Sequence, residues 1–129
     1  MPEGRPLILV VDDDPDILDA LSEILETEGY EVDRARHGQE ALSRIDQRRP
    51  DLILLDLMMP VMDGWEFAHA LRRREDGAHI PVVVLSADRQ ASAKARVVGA
   101  RDFLAKPFEL NELLRVVSDS VPQPPHAHA

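Results

Sequence analysis

Short apolar runs of strand length alternate along this chain with stretches whose apolar residues recur every three or four positions. Leu7–Val11 is continuously apolar and rich in β-branched residues, the pattern of a strand covered on both faces. Asp14 and Pro15 follow as a capping carboxylate and a first-turn proline, whose missing N–H costs nothing there. Ile17, Leu18, Leu21, Ile24 and Leu25 then trace one apolar helix face until Gly29 supplies a left-handed stop. The unit repeats. A strand over residues 30–35 precedes a weaker helix carrying Ala41, Leu42 and Ile45, and a third strand at 51–55 precedes a helix marked by Phe67, Ala68 and Leu71. A fourth strand at 80–85 leads to a small-residue helix at about 90–98, and a short fifth strand at about 102–105 leads to a last helix lined by Leu110, Leu113, Leu114 and Val117. Parallel neighbours need helical crossovers, and those crossovers are right-handed, so five such units predict a doubly wound α/β domain with a five-stranded parallel sheet. The domain spans 1–121, and the proline-rich segment 122–129 reads as a tail or the stump of a linker.

Open α/β sheets bind ligands outside the carboxyl ends of their strands, at the switch in strand order. Strand 1 ends in Asp12 and Asp13, strand 3 in Asp56, strand 4 in Ser86 and strand 5 in Lys106, whereas strand 2 ends in Ala35 and Arg36 without obvious chemistry. The four informative ends converge on one pocket if strand 2 is an edge. Three carboxylates so placed repel one another, which implies a divalent cation. Hard oxygen ligands with room for water suit magnesium. Asp56 is then a candidate nucleophile for an acyl phosphate, with Lys106 and the Ser86 hydroxyl free to bind phosphoryl oxygens.

Composition narrows the partners. A formal net charge of −9, from 24 acidic and 15 basic side chains, disfavours direct binding to a nucleic-acid backbone. Arg72, Arg73 and Arg74 are the nearest approach to a basic cluster, and they read as solvated charges at a helix C-terminus. No cysteine is present, so disulfides and thiolate sites are excluded. No apolar run approaches the roughly 18 to 20 residues of a membrane span, and the start is unlike a signal peptide, so a cytoplasmic location is expected. His37, His69, His79, His126 and His128 are scattered and read as structural or solvated.

The segments LVVDDDPD (9–16), DLILLDLMMP (51–60), MDGW (62–65), VLSA (84–87) and FLAKPF (103–108) resemble those of two-component response-regulator receivers, in order and spacing over nearly the whole chain. The resemblance implies a flavodoxin-like receiver fold with strand order 2-1-3-4-5. It implies that Asp56 is the phosphoacceptor, that Asp12, Asp13, Asp56 and the backbone carbonyl of Met58 hold Mg2+, and that Lys106 bonds the phosphoryl group. Ser86 would be the switch hydroxyl, Phe103 the switch aromatic, and the bond between Lys106 and Pro107 cis. Met58 and Asp88, each two positions beyond a site residue, would set the phosphoryl lifetime. The implied partners are a sensor histidine kinase or phosphotransfer protein, a downstream effector or an output domain absent from this chain, and a second copy docked through the 90–98 helix, the fifth strand and the last helix. Two other readings stay open. Asp12 and Asp14 have the Asp-x-Asp spacing of haloacid-dehalogenase-type magnesium phosphatases, and a receiver-like scaffold would work without phosphorylation.

Overall fold

Every residue of β1 (Leu7–Val11), β3 (Leu52–Asp56) and β4 (Val82–Ser86) is buried, which is why these strands are apolar without alternation. They form the centre of a wholly parallel sheet, ordered β2-β1-β3-β4-β5, with β2 (Glu31–Ala35) and β5 (Asp102–Ala105) at the edges. The expected order is thus observed in this computed structural model, which describes residues 5–56, 64–74, 79–86 and 99–121. The expected helix at 90–98, and with it part of the expected docking face, lies outside the described residues, as do Met58, Asp88 and the tail at 122–129.

Helices cover both faces. Leu18, Leu21 and Leu25 of α1 (Pro15–Thr27) and Leu113, Val116 and Val117 of α4 (Leu110–Ser120) pack with Ile8, Val10, Leu52, Leu54, Val83 and Leu85. On the other face, Ala41 and Ile45 of α2 (Gly38–Gln47) and Phe67, Ala68 and Leu71 of α3 (Gly64–Arg73) pack with Leu9, Val11, Ile53, Leu55, Val82 and Val84. Alternation along each strand therefore sorts even and odd positions into two cores.

Local chemistry sets the ends of these elements. The Asp14 carboxylate accepts the Asp16 N–H at 2.9 Å and caps α1 with Pro15 in its first turn, and Gly29 turns out of the helix at φ +96°. Nδ1 of His37 accepts the Glu40 N–H at 3.2 Å, so this histidine caps α2. The third strand begins one residue later than the expected span 51–55, because Asp51 is spent on docking. Its carboxylate accepts the Leu7 N–H at 2.8 Å, and its own N–H donates to the Leu7 carbonyl at 2.7 Å. Asp56 consequently lies inside β3, paired with Leu85. β4 likewise begins after Pro81, which lacks an N–H for the ladder.

Two expectations need correction. Leu110 is half exposed, since it sits in the first turn of α4, ahead of the residues that meet the sheet. At the end of α3, Arg73 is exposed as expected, but Arg72 and Arg74 are more than solvated charges. Arg72 donates to the carbonyls of Ile80 and Gly99, and Arg74 pairs with Asp46 at the end of α2.

Phe67→Ala should cost about 3–5 kcal/mol in urea unfolding, because the ring is wholly buried between α3 and the sheet; a loss below about 1 kcal/mol would contradict that packing. Burial and the nearby Glu28 carboxylate push the Tyr30 phenol above its ordinary value, partly offset by a hydrogen bond with Ser118. Tyr30 ionises more easily unfolded than folded. Its contribution to stability is therefore complete below about pH 10 and declines as pH rises through the folded value, and Tyr30→Phe should flatten that part of the stability profile.

Candidate functional site

The pairing of Val11 with Leu55, Leu55 with Val84, and Ser86 with Ala105 brings four strand ends level at one rim of the sheet. Asp12 follows β1 and is held in line by its N–H, which donates to the Ala35 carbonyl at 3.1 Å. Asp56 ends β3, and by alternation it faces the same side as Leu52 and Leu54, the side covered by α1 and α4. Beyond β5 the ladder continues for one bond, with Lys106 N–H donating to the Ser86 carbonyl at 2.8 Å. The Lys106–Pro107 peptide is cis, as the resemblance implies.

These constraints place the Lys106 ammonium 2.9 Å from Oδ2 of Asp12 and 3.9 Å from Oδ2 of Asp56. Asp12 is 1% exposed and Asp56 6% exposed, so the ion pairs lie in a poorly solvated setting where an unpaired charge would be costly. The other oxygen of Asp12 accepts the Asp14 N–H at 3.0 Å, a local turn that fixes the carboxylate at the start of α1. Sequence reasoning missed this role of the Asp14 backbone, although the Asp-x-Asp spacing signals it.

Oxygens of Asp12, Asp13 and Asp56 lie within 4.8 Å of one another, with Asp13 exposed and the other two buried. A hard, all-oxygen donor set of this size, open on the Asp13 side, fits magnesium with water in its remaining positions. One ammonium cannot neutralise three carboxylates, so the charge balance also favours a divalent cation there. Asp14 is absent from this cluster, being exposed and engaged as the α1 cap. That removes the second carboxylate of the phosphatase reading.

Ser86 and Phe103 belong to the opposite sheet face. In β4, Ser86 shares the alternation of Val82 and Val84, and it is 2% exposed. Phe103, paired with Val84, is partly buried against the α2 and α3 core. The two residues sit one alternation apart on neighbouring strands, on the same side.

Residues 8–118 match the family described as the response regulator receiver domain. The DNA-binding dual master transcriptional regulator RpaA of Synechocystis is 43% identical over 126 residues, which cover 92% of this chain and 52% of that protein. The chain thus spans about half the length of the curated relatives it matches. Among solved structures, the chemotaxis protein CheY4 of Vibrio cholerae superposes with a TM-score of 0.85 at 34% identity, over 91% of this chain and 99% of that one. A receiver domain of a Pseudomonas aeruginosa sensor histidine kinase, described with a magnesium ion coordinated in its active site cleft, superposes with a TM-score of 0.83 at 31% identity. That match covers 90% of this chain and 97% of the other.

Calorimetric titration with magnesium should show one site, weakened about tenfold or more by Asp13→Ala, since one of the three clustered carboxylates is lost. Lys106→Met should tighten it by roughly three- to tenfold, because the ammonium competes for the Asp12 and Asp56 carboxylates. An affinity unchanged by Asp13→Ala would remove that residue from the site.

Proposed function

The chain belongs to the response regulator receiver domain family, and on that premise we propose that it takes a phosphoryl group from a sensor histidine kinase or phosphotransfer protein onto Asp56. The observation that supports this most directly is the meeting of buried Asp56 with Asp12, Asp13 and the Lys106 ammonium at one rim of the sheet. Receiver domains are signalling modules of two-component systems that bind Mg2+ at an acidic pocket, and they pair with histidine kinases and with effector output domains. Here residues 1–121 would form the receiver and 122–129 a tail or linker, with the output carried by a separate effector or by a further domain.

In this reading, an Asp56 carboxylate oxygen bonds to phosphorus while the P–N bond of a phosphohistidine breaks, and the departing imidazole nitrogen takes up a proton. Asp12, Asp13, Asp56 and the Met58 carbonyl would hold Mg2+, which when bound supplies positive charge against the phosphoryl oxygens. Lys106, already within 3.9 Å of Asp56, exchanges a carboxylate partner for the new anion. Because Asp12 keeps its backbone hydrogen bond from Asp14, it stays in place as the ammonium turns. The Ser86 hydroxyl would follow the phosphoryl group and vacate space for Phe103, on the same sheet face, to turn inward.

Incubation with magnesium and phosphoramidate should add one phosphoryl group by intact mass. Asp56→Asn should add none, and Lys106→Met should slow the gain by about tenfold or more. Equal labelling of Asp56→Asn would overturn the assignment. An effector bound equally well by the wild type and by Asp56→Asn would point instead to a scaffold that works without phosphorylation.

A further inference from the structure

Arg72 joins the end of α3 to two later segments, at Ile80 and at Gly99. From the last turn of α3, one guanidinium nitrogen donates to the Ile80 carbonyl at 3.3 Å and the other to the Gly99 carbonyl at 2.9 Å. Ile80 lies two residues before β4, and Gly99 three residues before β5. Gly99 adopts φ +75°, and a side-chain carbon there would stand 3.4 Å from Nε of Arg72, so the guanidinium lies against the open flank of the glycine. A planar fork with two separate donors suits two carbonyls from different segments, which a single ammonium cannot span as well.

The strand entered from Gly99 is the weakest of the sheet. β5 has four residues, pairs only with β4, and has Leu104 as its one buried side chain. Its entry is held by the Arg101 N–H, which donates to the Val82 carbonyl at 2.7 Å, and by Ala100 and Phe103 packing on the core that contains Phe67, Leu71 and Ile80. The residues feeding β5 and the inner face of α3 thus meet on the Ser86 side of the sheet, and Arg72 fastens them together.

We propose that Arg72 is a positioning residue for the phosphorylation response: by tying the Gly99 turn to α3 and to the start of β4, it holds β5 where Phe103 can register movement of Ser86. The proposal rests on the phosphoryl-accepting reading above. The two carbonyls that Arg72 holds lie ahead of β4 and β5, at the opposite end of the strands from Asp56, so its loss should separate the response from the chemistry.

The test compares the full chain with Arg72→Ala, Arg72→Lys and Arg74→Ala, the last removing a neighbouring arginine that pairs with Asp46 on α2. Magnesium affinity and the extent of labelling by phosphoramidate should stay within about twofold of wild type in all three variants. Amide shifts of Phe103, Leu104 and Ala105 on adding magnesium and beryllofluoride should fall by at least about half in Arg72→Ala, fall less in Arg72→Lys, and stay at the wild-type level in Arg74→Ala. Arg72→Lys carries the comparison if the alanine variant does not fold. A wild-type response in both Arg72 variants, an equal loss in Arg74→Ala, or a parallel loss of magnesium binding would each overturn the proposal. A wild-type chain that is not phosphorylated overturns the receiver mechanism as well, whereas one that is phosphorylated normally while the Arg72 variants respond normally overturns the positioning role alone.

Discussion

Two carboxylates almost out of water, Asp12 and Asp56, end adjacent parallel strands, and their mutual repulsion must be met by positive charge. The ammonium that meets it comes from Lys106, 94 residues along the chain from Asp12. Lys106 is in reach because β5 pairs with β4 and the ladder runs one bond past the strand, from its N–H to the Ser86 carbonyl. The helical crossovers, the two cores and the level strand ends therefore serve one electrostatic requirement. The same arrangement leaves net negative charge beside the exposed Asp13, where a divalent ion can bind from solvent.

Strand alternation divides the labour between the two faces. Asp56 belongs by parity to the face beneath α1 and α4, while Ser86 and Phe103 belong to the face beneath α2 and α3. A charge added at the rim is thereby next to a hydroxyl that belongs to the far side. Arg72 anchors that far side at the point where β5, its least supported strand, begins.

The central strands and the chemistry at their ends were legible because burial on both faces writes an unbroken apolar run that stops abruptly at a polar residue. Asp12, Asp56 and Ser86 are such stops, whereas Lys106 follows a short, partly exposed edge strand. Strand order was not legible in this way, since β1 pairs with β3 across two intervening helices and a strand, and the order came from resemblance. The boundary of β3 shifted by one residue because Asp51 serves as a dock for Leu7, a tertiary bond that no local propensity encodes. Arg72 was misread for a related reason. Its acceptors are main-chain carbonyls of Ile80 and Gly99, and every residue has a carbonyl, so nothing in the side-chain pattern marks them as partners.

The sheet is open, and its two borders differ from its interior in a way that bears on behaviour in concentrated solution. Glu31, Asp33 and Arg34 on β2 engage Arg48, Arg44 and Asp19, while β5 is cut to four residues with exposed Arg101 and Asp102 at its start. Such ion pairs contribute little to folding free energy. Their value at a border is different, because a foreign strand seeking main-chain partners would have to strip water from charged groups and would find a short ladder in return. The five-stranded sheet is thus poorly disposed to recruit a sixth strand and to grow into a fibrous aggregate.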